Sequence, residues 1–378
     1  MMRIRLPDRG EYRMSNPATF TPSSGPHRSR TVYAAAHVVA DPATSHMGEA
    51  EARLDWDATM AFRRHLWSHG LGVADAMDTA QRGMGLDWPV TARLIRASAA
   101  EAGPGDRLAC GVGTDQLARA EGLDGIVAAY EQQLEVVEEV GCVPIIMCSR
   151  ALARTACGAD DYVAVYGRLL RQVSRPAILH WLGPMFDPQL EGYWGANDLD
   201  TAAETLQRII ADNVSAVDGV KLSLLDADAE VRFRDGLPST VRCYTGDDFN
   251  YPQLIEGDSR RHSDALLGVF DPLAPFASAA LDRLDAGDEK GFRELLDPTV
   301  NLARTIFSSP TYHYKTAVVF LAWLCGHQRH FRMVGGYESA RSLRHLSDVF
   351  VEADRIGLFP DPPEAAAKFA SLLKVSGL

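Results

Sequence analysis

VDGVKLSLLD, residues 217–226, sets a lysine in the middle of an apolar, strand-like run. The chain holds 38 lysines and arginines together, and only five are lysines: Lys221, Lys290, Lys315, Lys368 and Lys374. Arginine carries nearly all of the solvated positive charge, so a lysine inside an apolar run asks for a separate reason. The run is one of eight of its kind. The others are 31–39, 72–77, 107–113, 143–149, 176–182, 241–247 and 265–270. All are close to continuously apolar, the pattern of parallel strands covered on both faces.

Amphipathic stretches fill the gaps. Residues 55–70 bring Met60, Leu66 and Trp67 near one stripe and end on a glycine. Residues 125–141 space Ile126, Tyr130, Leu134, Val137 and Val140 at helical period. In 201–210, Thr201 and Glu204 have capping-box spacing. Eight β-α alternations predict an α/β chain folded as a (β/α)8 TIM barrel over residues 30–271. Beyond it, 272–378 reads as extra C-terminal helices packed on the barrel, with 360–374 as the last. Residues 1–29 are polar and rich in Pro, Ser and Arg, and read as a flexible extension.

The bulk properties exclude several classes. A net charge of -12 argues against nucleic acid and anionic membrane as partners. No apolar run reaches the roughly 18 residues of a membrane span, and no signal-peptide core precedes the first strand. The six cysteines show neither a C-x-x-C pair nor a zinc spacing. The expectation is a cytoplasmic protein with reduced thiols.

In a barrel of this kind the chemistry sits at the C-terminal ends of the strands. The polar residues there are His37 and Asp41; Asp75, Asp78, Thr79, Gln81 and Arg82; Cys148, Ser149 and Arg150; His180 and Trp181; Lys221 and Ser223; Thr245, Asp247 and Asp248. Burial among Val220, Leu222 and Leu224 disfavours an ammonium at Lys221. A neutral amine there forms a Schiff base with a carbonyl substrate, which arginine cannot do. Spacing alone leaves a second reading open, a lysine paired with an inward carboxylate. His180 suits proton shuttling, or is a hydrogen-bonded core histidine. Arg82 and Arg150 suit a carboxylate clamp, or salt bridges to Asp75 or Asp78. Asp247 and Asp248 suit substrate hydroxyls, or the cap of the next helix. The loop 183–198 is long, and its Phe186, Asp187, Glu191, Tyr193 and Trp194 suit closure over a sugar-like ligand. TYHYK, 311–315, is a further segment that could reach the barrel mouth or a partner subunit.

These pieces resemble the dihydrodipicolinate synthase / N-acetylneuraminate lyase superfamily of class I Schiff-base lyases, in a divergent branch of unknown function. GVKL around Lys221 resembles the family's sixth strand, which carries its reactive lysine. TGDD, with Gly246, Asp247 and Asp248, resembles the seventh. PAILHWLGP, 176–184, stands where the family has PxxxYNxP. CGVGT, 110–114, resembles the third strand, and DAGDEKGFRELL, 285–296, the helix after strand eight. The resemblance spans about 31 to 326. It departs where the family binds a keto acid's carboxylate: Asp78-Thr79-Ala80-Gln81-Arg82 stands for Gly-Thr-Thr-Gly-Glu. The proton-relaying tyrosine after strand four is absent, with Arg150-Ala151-Leu152 in its place. His180-Trp181 replaces Tyr-Asn.

The resemblance implies an aldolase or dehydratase acting on a keto acid or keto sugar derived from carbohydrate. Lys221 is its expected covalent amine and His180 its acid/base. The expected substrate binders are Thr79, Gln81, Arg82, Arg150, Asp247, Asp248 and Trp181. No cofactor and no metal is called for, since an iminium is its own electron sink. The family also implies a homo-oligomer, a dimer or tetramer. One alternative is a metal-dependent hydrolase or isomerase built on His37, Asp75, Asp78 and His180. Another is a non-catalytic ligand-binding barrel.

Overall fold

The computed structural model describes residues 3–21, 25–44, 53–119 and 122–378. Two short antiparallel strands come first, β1 (Arg3–Leu6) and β2 (Gly10–Arg13). Eight parallel strands then close into a barrel: β3 (Val32–Ala35), β4 (Gly72–Asp75), β5 (Leu108–Val112), β6 (Val143–Ile146), β7 (Ala177–Leu182), β8 (Val217–Ser223), β9 (Arg242–Thr245) and β10 (Asp264–Leu267). Each pairs with its neighbour in chain order, and β10 pairs with β3. All eight apolar runs are strands of this barrel.

Two packing layers follow from strand alternation. Tyr33, Ala35, Ala74, Ala109, Ile145, Ile178, Tyr244 and Leu266 fill the interior. The opposite faces of the same strands, among them Val73, Val220 and Leu222, belong to the larger core shared with the helices. The helix Trp56–Ser68 starts on Asp55, which accepts from the Ala58 amide. The helix Leu199–Asp212 starts on Asp198, which accepts from the amides of Asp200 and Thr201. The Thr201/Glu204 pair is therefore not its cap: an aspartate three residues earlier takes the free amides first.

After β10 the chain is helical. The helices are Ala274–Asp285, Glu289–Leu296, Val300–Ile306, Tyr314–Leu324, Leu343–Arg355 and Pro362–Val375. The helix Tyr314–Leu324 is buried along nearly its whole length. Where the sequence reading expects a flexible extension, the described part of residues 1–29 is anchored; residues 1, 2 and 22–24 lie outside the described residues. Ile4 and Leu6 alternate with arginines and are buried, as is Met14. Tyr12 donates to Asp354 (2.9 Å), and Phe20 meets Phe276 edge-on. A two-residue apolar period is enough to seat a strand that bulk polarity hides.

No helix among the described residues is long and apolar enough to cross a membrane. One packing feature carries a pH consequence. His65 and His327 lie ring to ring at 4.3 Å beside Phe62 and His69. Burial above all pushes His65 down to about 3 and His327 to about 4. An unfolded chain takes up those protons near pH 6.5, so the stability they contribute is present above about 6.5 and is lost as pH falls toward 4. Glu230, pushed up to about 8 by burial, acts with the opposite sign, so the test is a difference. His327→Leu should show a smaller drop in Tm between pH 7 and pH 5 than the unmodified protein, by calorimetry. Equal drops would refute the assignment.

Candidate active site

β7 and β8 pair with His180 opposite Lys221, and β8 and β9 pair with Lys221 opposite Tyr244. Val220 and Leu222 face the helices, so alternation turns Gly219, Lys221 and Ser223 toward the axis. Lys221 is only 5% exposed. Gly246 makes room for it. A Cβ at Gly246 would lie 2.9 Å from Lys221 Cε and 2.4 Å from Ser223 Oγ. Burial disfavours the ammonium and lowers the Lys221 pKa, against the pull of Asp78 and Asp248.

The two acids differ in state. Burial pushes Asp248 up to about 8, and Lys221 does not offset it. Its Oδ1 accepts from the Val269 amide at 2.9 Å. Burial also works against ionised Asp78, but Lys315 and Lys221 outweigh it and hold that carboxyl below the usual range. Asp78 follows β4, and its Oδ2 accepts from Tyr314 Oη at 2.9 Å. Tyr314 Oη also meets Thr79 Oγ1 in a very short contact. His180 is buried. Its Nε2 lies 3.1 Å from Ser223 Oγ, and its Nδ1 has no protein partner. Burial and the nearby Lys221 keep its imidazole neutral by lowering its pKa well below 6.5.

A cavity of about 790 Å³ reaches this cluster at Asp78 and His180. Asp78, His180 and Lys315 line it, with Thr114 and Ser149 on another wall, their hydroxyls 2.6 Å apart. Arg150 stands at its mouth and pairs with Asp187 of the long loop at 2.5 Å. Phe186 of that loop packs on Phe307 and Tyr314, whereas Tyr193 and Trp194 pack away from the cavity on Tyr162 and Tyr166.

The structure thus gathers Lys221, His180, Asp248 and, through Tyr314, Thr79. Four expected substrate binders are placed differently. Trp181 faces outward, because it follows inward His180 by one residue. It packs on Trp194 and Phe233 and lines a separate 220 Å³ cleft outside the barrel wall. Asp247 is spent on the turn after β9, accepting from the amides of Phe249 and Asn250 and from Asn250 Nδ2. Gln81, with a left-handed φ of 60°, donates to Val334 O at 2.7 Å and ties the β4 loop to the C-terminal region. Arg82 lines the cavity, yet its guanidinium is saturated by Asp115, Gln133 and the carbonyls of Ala76 and Gly111.

The metal constellation does not assemble. Asp75 faces the helix layer and pairs with Arg63 at 2.8 Å, and His37 pairs with Asp271 at 2.8 Å. Among the described residues no three His, Cys, Asp or Glu side chains converge as metal ligands. Tyr314 and Lys315, which the sequence places only in a segment that could reach the barrel mouth or a partner, belong to this cluster. The signal was there: Lys315 is one of five lysines and stands in a largely apolar helix, as Lys221 stands in an apolar strand.

The closed eight-stranded barrel with its C-terminal helices matches the dihydrodipicolinate synthase fold. The 4-hydroxy-tetrahydrodipicolinate synthase from Methylacidiphilum fumariolicum SolV superposes with a TM-score of 0.66 at 14% identity, over 91% of this chain and 99% of its own. The dihydrodipicolinate synthase from Thermotoga maritima gives 0.66 at 14%, over 87% and 99%. That from Aquifex aeolicus gives 0.60 at 13%, over 92% and 98%. A search of curated proteins finds no match. Over residues 4–378 the chain belongs to the family described as "Protein of unknown function (DUF993)".

Proposed function

We propose that the protein is a Schiff-base lyase, cleaving or dehydrating a keto acid or keto sugar of carbohydrate origin. The observation that carries this reading is Lys221: a buried amine whose charged form is disfavoured, in register with His180 of the cavity wall, toward the C-terminal end of a barrel strand. Neutral Lys221 adds to the substrate carbonyl to give a carbinolamine. Loss of water from it needs a proton, and Asp248 is the acid that keeps one near neutrality. The resulting iminium accepts the electron pair of the Cα–Cβ bond in cleavage, or of the Cα–H bond in dehydration, and an enamine forms. In cleavage the enamine takes up a proton at Cα; in dehydration it expels the β-hydroxyl, which leaves with a proton as water. Hydrolysis of the iminium then frees the amine.

His180 serves as a neutral relay through Ser223 rather than as an imidazolium. Asp78, ionised and held by Tyr314, is the base available for a substrate hydroxyl. Thr79 acts at one remove, by orienting Tyr314. Arg150 is the anion contact at the mouth, and Thr114 and Ser149 offer hydroxyls to a polyol. The cavity volume falls within the 300–1,000 Å³ of ordinary ligand sites and leaves room for a substrate larger than pyruvate.

Tyr314 gives a test of this arrangement. Tyr314→Phe removes the hydroxyl that donates to ionised Asp78, a hydrogen bond worth about 1.5–3 kcal/mol. Turnover should fall roughly 10- to 100-fold, with a changed pH profile as Asp78 titrates higher. An unchanged profile would make Tyr314 a packing residue only. The reading as a whole is tested in D2O with 2-oxo acids. Enamine formation exchanges the protons next to the carbonyl for deuterium, visible by proton NMR. Exchange that requires Lys221 is expected; no exchange above the buffer rate, in a folded protein, would overturn it.

A further inference from the structure

Two of the five lysines in this chain are buried, and both act on Asp78. Lys315 is only 4% exposed and lines the cavity. Its ammonium has three hydrogens to place and weak places for them: Tyr312 O and Met84 Sδ at 3.4 Å, and Asp78 Oδ2 at 3.9 Å. Asp78 is already engaged by Tyr314 and faces the field of Lys221 as well. Lys315 also stands in the first turn of the helix Tyr314–Leu324, whose free amide end is itself positive, where a cation is ordinarily disfavoured. With Asp248 protonated, Asp78 and Asp187 are the carboxylates that favour the Lys315 ammonium, against burial, Arg150 and Lys221. Arg82, on the cavity wall, is spent on Asp115.

We propose that Lys315 binds a second anionic group of the substrate, a carboxylate or phosphate remote from the carbonyl that meets Lys221. The inference rests on the Schiff-base reading for the position of that carbonyl. It defines the substrate class as a ketone bearing a distal anion, held at the C-terminal helices instead of at the β4 turn. Asp78 then lies between the two anchor points, beside the carbon chain whose hydroxyl is deprotonated.

Two matched pairs of probes test this by titration calorimetry. 2-Oxoglutarate is compared with 2-oxopentanoate, and dihydroxyacetone phosphate with dihydroxyacetone. In the unmodified protein the member carrying the distal anion should bind at least about tenfold more tightly in one pair, and that pair tells carboxylate from phosphate. Lys315→Met should erase the preference and leave the partner lacking that anion within about twofold. Lys315→Arg, which keeps the charge, should retain part of it, guarding against a folding defect in the first variant. No preference in either pair, or a preference that survives Lys315→Met, overturns the proposal. Binding of this kind needs no imine, so the preference should persist in Lys221→Met. If the preference holds while no imine forms, the lyase reading falls and the Lys315 site stands.

Discussion

Lys221→Met should lower turnover by at least about 10³-fold, the scale on which enzymes lose rate when a covalent nucleophile is removed. It should do so in a folded protein. A buried amine is replaced by an apolar chain of similar length, which ends the desolvation penalty on the ammonium. Asp78 keeps Tyr314 and Lys315 as partners, and Asp248 is protonated near neutrality. The melting temperature should therefore stay near that of the parent, and Lys221→Arg should be as inactive as Met. The same lysine sets the pH profile. Only the neutral amine attacks, so imine formation should rise with pH along a curve whose midpoint lies below the ordinary lysine value of 10.5. Turnover that survives either substitution would remove Lys221 from the chemistry.

Gly246→Ala should do nearly as much damage without touching a reactive atom. The added carbon would meet Ser223 Oγ at 2.4 Å, Leu222 O at 2.7 Å and Lys221 Cε at 2.9 Å. Backbone cannot yield there, since the Gly246 amide donates to Leu222 O at 2.7 Å and closes β8 against β9. Lys221 and Ser223 must shift. Overpacking of this kind costs about 1–3 kcal/mol of stability, and a displaced nucleophile loses roughly 10²-fold in rate. Gly158→Ala is the control, because nothing lies within 4 Å of the new carbon. A Gly246→Ala protein with normal imine formation would show that the site tolerates a displaced lysine.

Lys221 was legible in the sequence because a lone lysine inside an apolar run conflicts with its surroundings, and the eight runs placed it at the active end of a barrel. Nearness to a strand end is a blunter signal: it groups Trp181 with His180, although adjacent residues on a strand face opposite sides. Asp247 and Asp248 divide in the same way, one to the turn and one to the lysine. Tyr314 and Lys315 meet Asp78 across more than 230 residues of chain, and no local pattern announces such a contact. Arg82 was legible as a carboxylate clamp or as a salt bridge to Asp75 or Asp78, but its partners Asp115 and Gln133 come from the next loop and helix. A single sequence shows the charge and not its neutraliser.

The most direct measurement is borohydride reduction in the presence of a panel of keto acids and keto sugars, followed by peptide mapping of the mass adduct. Five lysines make the map unambiguous. The account predicts one adduct, on Lys221, with the exposed lysines unmodified. An adduct on Lys315 instead, or none on any lysine of the folded protein across the panel, would contradict it.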